Sequence, residues 1–84
     1  MTSDQILQDV QEVFRETFGD PGLTIVRSTK ADDIDLWDSM THLELIAAIE
    51  KKFNLKFTFE QFMRFNNVGD MVSLIDQIKQ SNLP

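Results

Sequence analysis

The sequence predicts an all-α domain: a four-helix bundle, three helices longer and one short, with a long loop between helices one and two. Three observations predict it. Apolar residues recur at helical spacing in three separate stretches, Ile6 to Phe14, Leu43 to Phe53 and Val68 to Ile78. A residue that caps helices precedes each stretch, namely Thr2, Asp38 and Asn67. From Leu23 to Trp37 the apolar residues are scattered among Thr24, Ser28, Thr29, Lys30 and aspartates, which marks a loop.

Thr2 and Gln5 have capping-box spacing, and Ile6, Leu7, Val10, Val13 and Phe14 then share one face. Gly19 followed by Asp20-Pro21-Gly22 ends the helix, which is expected over about residues 3–18. The loop that follows is expected to be pinned by Leu23, Ile25 or Val26, Ile34, Leu36 and Trp37. A loop this long in so small a domain needs a function. A short strand at Leu23 to Arg27 is the alternative, but a single strand has nothing to pair with.

The second helix is expected over about 39–53. Asp38 is its natural cap, which puts Ser39 at the first helical position with its hydroxyl beside unpaired backbone N–H groups. At ~100° per residue Leu43, Ile46, Ile49 and Phe53 share a core-facing arc with Leu45 on its flank. Met40, Glu44, Ala47 and Lys51 form a second stripe well away from that arc. Thr58 and Gln61 open a short helix, about 58–64, with Phe62 turned inward. Phe57, Phe59, Phe62 and Phe65 crowd this region, and most are expected in the core. Asn67 caps a last helix, about 68–80, with Val68, Met71, Val72, Leu74, Ile75 and Ile78 on one side; the tail 81–84 is expected to fray.

The chain's 84 residues make one domain. No cysteine is present, so any thiol chemistry must come from a cofactor. A net charge of −6 argues against nucleic acid and anionic membranes and for basic partner surfaces. No apolar run is long enough to span a membrane and no signal-peptide layout opens the chain, so a cytoplasmic monomer is expected.

Catalytic and metal chemistry find little support. Asp33, Asp35 and Glu44 match three positions of a calcium-binding loop, but Trp37 and Asp38 occupy two that such a loop needs for a ligand and for glycine. His42 is the only histidine, which excludes a histidine metal cluster. It reads as a packed or edge residue near the core arc. No glycine-rich phosphate loop occurs, and no serine stands with both a base and an orienter.

The step Asp38-Ser39-Met40, opening the helix Leu43-Glu44-Leu45-Ile46-Ala47-Ala48-Ile49-Glu50-Lys51-Lys52-Phe53 inside a small acidic four-helix frame, resembles the acyl carrier protein family over nearly the whole chain. The resemblance implies a non-catalytic carrier whose Ser39, next to Asp38, bears covalent 4'-phosphopantetheine, with acyl or aminoacyl groups held on its thiol as thioesters. It implies a phosphopantetheinyl transferase and acyl- or aminoacyl-loading and processing enzymes as partners, with Met40, Glu44, Ala47 and Lys51 as the docking face. It also implies that the phenylalanine-rich region walls the cavity for the carried chain, where bulky rings favour a small or unusual acyl group. Lys51-Lys52 stands where typical fatty-acid carriers keep acidic residues, which points to partners in a specialised biosynthetic pathway. The rival is a small helical interaction module, a degenerate carrier without a prosthetic group, docking through the Met40 to Lys51 stripe.

Overall fold

The computed structural model of the protein describes residues 2–81. Among these residues there are four α-helices and no strand: α1 Ser3–Phe18, α2 Ser39–Phe53, α3 Phe59–Met63 and α4 Val68–Ser81. A single 3-10 turn, Ala31–Asp33, interrupts the loop between α1 and α2. Residues 82–84 of the tail lie outside the described residues, and Ser81 closes α4.

Each helix begins where a side chain satisfies its orphan N–H groups. The Thr2 hydroxyl accepts from the Gln5 N–H at 3.2 Å while Gln5 Oε1 accepts from the Thr2 N–H at 3.0 Å. Thr58 and Gln61 repeat the arrangement before α3. Asn67 Oδ1 accepts from the Asp70 N–H at 2.8 Å in α4. Left-handed residues end the first two helices, Gly19 at φ 65° after α1 and Asn54 at φ 54° after α2.

α2 and α4 both pack against α1. Ile6, Val10, Val13, Phe14 and Phe18 of α1 meet Leu45, Ile46, Ile49 and Phe53 of α2 and Val68, Met71, Val72 and Ile75 of α4 in one core. Each such side chain contributes about 1.5–3 kcal/mol of burial, so the stability of the domain lies here. The expected core face of α2 needs one correction: Leu45 is fully buried, whereas Leu43 is 57% exposed. At ~100° per residue Leu43 lies about 120° from Ile49, the centre of the buried side, so it falls at the edge of the apolar arc and faces away from α1.

Leu23, Ile25, Ile34 and Trp37 pin the loop to the core as expected, and hydrogen bonds to its backbone add to these apolar anchors. Ile25 and Trp37 are buried, but Val26 and Leu36 are exposed, so Leu36 is not the pin expected of it. Arg15 Nε–H donates to the Leu23 carbonyl at 2.7 Å, and Gln11 Oε1 accepts from the Ile25 N–H at 3.0 Å. The first N–H groups of α4 complete the tie, Val68 donating to the Thr29 carbonyl and Gly69 to the Arg27 carbonyl. Loop and last helix thus satisfy each other's backbone groups, and the loop delivers Trp37 and Asp38 to the start of α2.

Candidate functional site

The start of α2 is built by Asp38 and Thr41. Asp38 Oδ1 accepts from the backbone N–H groups of Met40 and Thr41, both at 3.0 Å. Thr41 Oγ1 answers by accepting from the Asp38 N–H at 2.7 Å and donates its own proton to the Leu36 carbonyl at 2.7 Å. The Thr41 N–H is the main reason the Asp38 carboxyl is held below the usual carboxylate range. Sequence spacing did not single out Thr41, because the usual partner at that position is Glu or Gln.

With the capping done by its neighbours, Ser39 is exposed, and among the described residues its hydroxyl takes no part in the cap. It stands at the mouth of a groove of about 530 Å³ between α2 and α3. Leu43, Phe59 and Met63 form the apolar rim, all more than half exposed. Trp37, His42 and Phe62 line the inner side. Of the four clustered phenylalanines, Phe57, Phe62 and Phe65 pack against the core from its edge while Phe59 is 70% exposed, so that ring belongs to the surface.

His42 has partners that the sequence did not reveal. Trp37 Nε1–H donates to His42 Nδ1 at 3.0 Å, the two rings stacked at 6.0 Å, and His42 Nε2 lies 3.1 Å from the Phe62 carbonyl. The one signal available beforehand was the position of His42 above Ile46 and Ile49 on the helical wheel.

Met40, Glu44, Ala47 and Lys51 are all exposed on one face of α2. Met40, at 75% exposure, heads this stripe next to Ser39. The two lysines at the end of α2 part company: Lys51 is on the stripe, whereas Lys52 Nζ pairs with Glu12 of α1 at 3.3 Å. Asp33, one of the three residues matching a calcium loop, is engaged by the Lys30 N–H at 2.9 Å.

The comparisons identify the family. Residues 8–75 match the family model described as the phosphopantetheine attachment site. The chain is 38% identical over 78 residues to an acyl carrier protein of Exiguobacterium sibiricum, covering 90% of this chain and 96% of that one. It is 26% identical over 83 residues to the meromycolate extension acyl carrier protein of Mycobacterium tuberculosis, covering 98% of this chain and 71% of that one. The solution NMR structure of a holo acyl carrier protein from Geobacter metallireducens matches with a TM-score of 0.83 at 33% identity, covering 94% of each chain. The chain belongs to the acyl carrier protein family, whose members are non-catalytic carriers with covalently bound 4'-phosphopantetheine.

Proposed function

We propose that Ser39 is the attachment point of 4'-phosphopantetheine and that the chain carries acyl or aminoacyl groups among the enzymes of a specialised biosynthetic pathway. The observation that carries this reading is the division of labour at the start of α2. Asp38 and Thr41 do the capping, which leaves the Ser39 hydroxyl exposed at the mouth of the groove.

The residues present fit the group. The long apolar rim of Leu43, Phe59 and Met63 begins beside Ser39 and can cover the apolar part of an arm or its cargo. The positive end of the α2 dipole favours the phosphodiester. Asp38 already occupies the N–H groups of Met40 and Thr41, so that end is a poor trap for a free anion, and the covalent bond to Ser39 must do the holding. Once attached, the group supplies a thiol that holds acyl or aminoacyl groups as thioesters, chemistry this cysteine-free chain lacks.

Among the described residues no base engages the Ser39 hydroxyl. His42, one turn on, has both ring nitrogens engaged by Trp37 and Phe62. A phosphopantetheinyl transferase therefore provides the base and metal. The Ser39 oxygen forms the new bond to phosphorus of coenzyme A, adenosine 3',5'-bisphosphate leaves, and the hydroxyl proton passes to the transferase. The exposed stripe of Met40, Glu44, Ala47 and Lys51 is the docking face for transferase and loading enzymes. Its mixed sign, Glu44 with Lys51, supports dedicated partners over a uniformly basic patch. The test is labelling by a broad-specificity transferase, which wild type accepts and Ser39→Ala does not; labelling retained in Ser39→Ala overturns the assignment.

A further inference from the structure

The groove beside Ser39 reaches the core at Trp37 and goes no deeper. Trp37, His42, Phe62 and Phe65 line it, while the fully buried Leu45, Ile49, Val68 and Met71 do not. His42 is the piece that closes the inner wall. An indole N–H only donates, so His42 Nδ1 must accept from Trp37 and the neutral ring carries its proton on Nε2, aimed at the Phe62 carbonyl 3.1 Å away. One imidazole thus bolts α2 to the loop on one side and to α3 on the other.

Behind this bridge lies the interior. Trp37 packs edge-on against Phe14 of the core, with ring centroids 5.1 Å apart. His42 shares its side of α2 with Ile49, two turns further on, so it stands over the path from the groove into the space between α2 and the other helices. A chain moving inward from Ser39 would have to break both imidazole hydrogen bonds and part a stacked ring pair. A chain lying in the outer groove disturbs none of these.

Resting on Ser39 as the attachment point, we propose that His42 sets the depth of the groove: the carried acyl group lies in the outer, aromatic-lined groove between α2 and α3 and does not enter the core. The groove then favours short or ring-bearing acyl groups over long straight chains, and His42 is the residue that determines this.

The test compares the protein loaded with hexanoyl- and with hexadecanoyl-phosphopantetheine, transferred from the corresponding acyl-coenzyme A, by methyl NMR. In wild type both loads shift the rim methyls of Leu43 and Met63 and leave Leu45, Ile49 and Met71 in place. In His42→Ala the hexadecanoyl load shifts Leu45, Ile49 and Met71 as well. Trp37→Phe, which keeps a ring but removes the N–H donor, shows the same change if His42→Ala fails to fold. Core methyl shifts from the long chain in wild type overturn the proposal, as does a folded His42→Ala that responds like wild type. Peptide mass separates the two claims: no modification at Ser39 refutes the attachment assignment. The wall is then tested by titrating unmodified protein with free S-hexanoyl- and S-hexadecanoyl-pantetheine. Shifts confined to the rim support it, and core shifts or none at all overturn it.

Discussion

The backbone N–H of Gly69 donates to the Arg27 carbonyl at 2.7 Å, so the second residue of α4 is pressed against the loop that leads to the functional site. A Cβ placed at Gly69 would sit 3.0 Å from that same carbonyl oxygen and 3.1 Å from Asn67 Oδ1. Backbone cannot retreat as a flexible side chain can. Gly69→Ala is expected to destabilise the domain by about 1–3 kcal/mol. Gly22→Ala is the control, since a Cβ there meets only Asp20 Oδ1 at an ordinary 3.7 Å. It is expected to be neutral or slightly stabilising, and urea unfolding of the two variants checks the difference.

Leu43 and Leu45 are two residues apart on α2 and differ completely in burial, 57% and 0% exposed. Leu45→Ala is expected to cost about 2–5 kcal/mol, a large share of the stability of a domain this size. Leu43→Ala is expected to stay within about 0.5 kcal/mol, because it removes only a rim contact. Chemical denaturation resolves the two outcomes, and equal losses would place Leu43 in the core.

The Asp38 carboxyl is held below the usual carboxylate range chiefly by the Thr41 N–H. A carboxyl depressed by folding contributes stability that is fully present above its unfolded-state pKa and is lost as pH falls through the lower, folded-state value. Asn caps helices about as well as Asp but does not titrate there. Asp38→Asn is therefore expected to remain close to wild type near pH 7 and to lose less stability than wild type between about pH 5 and about pH 3. Thermal melts across that range are the measurement, and parallel curves would show that the cap charge contributes nothing.

Ser39 makes no capping contact that its neighbours do not already provide. Ser39→Ala is expected to change stability by less than about 1 kcal/mol while abolishing loading. Circular dichroism alongside transferase labelling separates the two effects, and an unfolded variant would mean that the serine is structural.

The all-α bundle was legible because apolar period and cap spacing are local signals, carried by Ile6 to Phe14 or by Asp38 with the helix after it. The exposed stripe headed by Met40 was legible for the same reason. What the wheel could not supply was direction: which edge of α2's apolar arc meets α1 depends on tertiary packing, and so Leu43 and Leu45 exchanged places. The loop was harder still. Its apolar pins Leu23, Ile25, Ile34 and Trp37 were legible, but its other anchors are carbonyls of Arg27 and Thr29 facing α4, and backbone groups carry no residue-specific signature. The Trp37–His42 bridge escaped for a related reason, since it crosses from loop to helix with no fixed spacing rule behind it.

Attachment of the prosthetic group at Ser39 is tested by the intact mass of the protein after incubation with coenzyme A, magnesium and a broad-specificity transferase, followed by tryptic mapping. The fragment Ala31 to Lys51 has only two hydroxyl side chains, Ser39 and Thr41. The expected result is a gain of one phosphopantetheinyl group, placed on Ser39 by fragmentation. A folded protein that gains no mass beside an active control, or gains it on another residue, would rule out Ser39 as the attachment point, and no gain at all would leave the α2 stripe as a docking face without a prosthetic group.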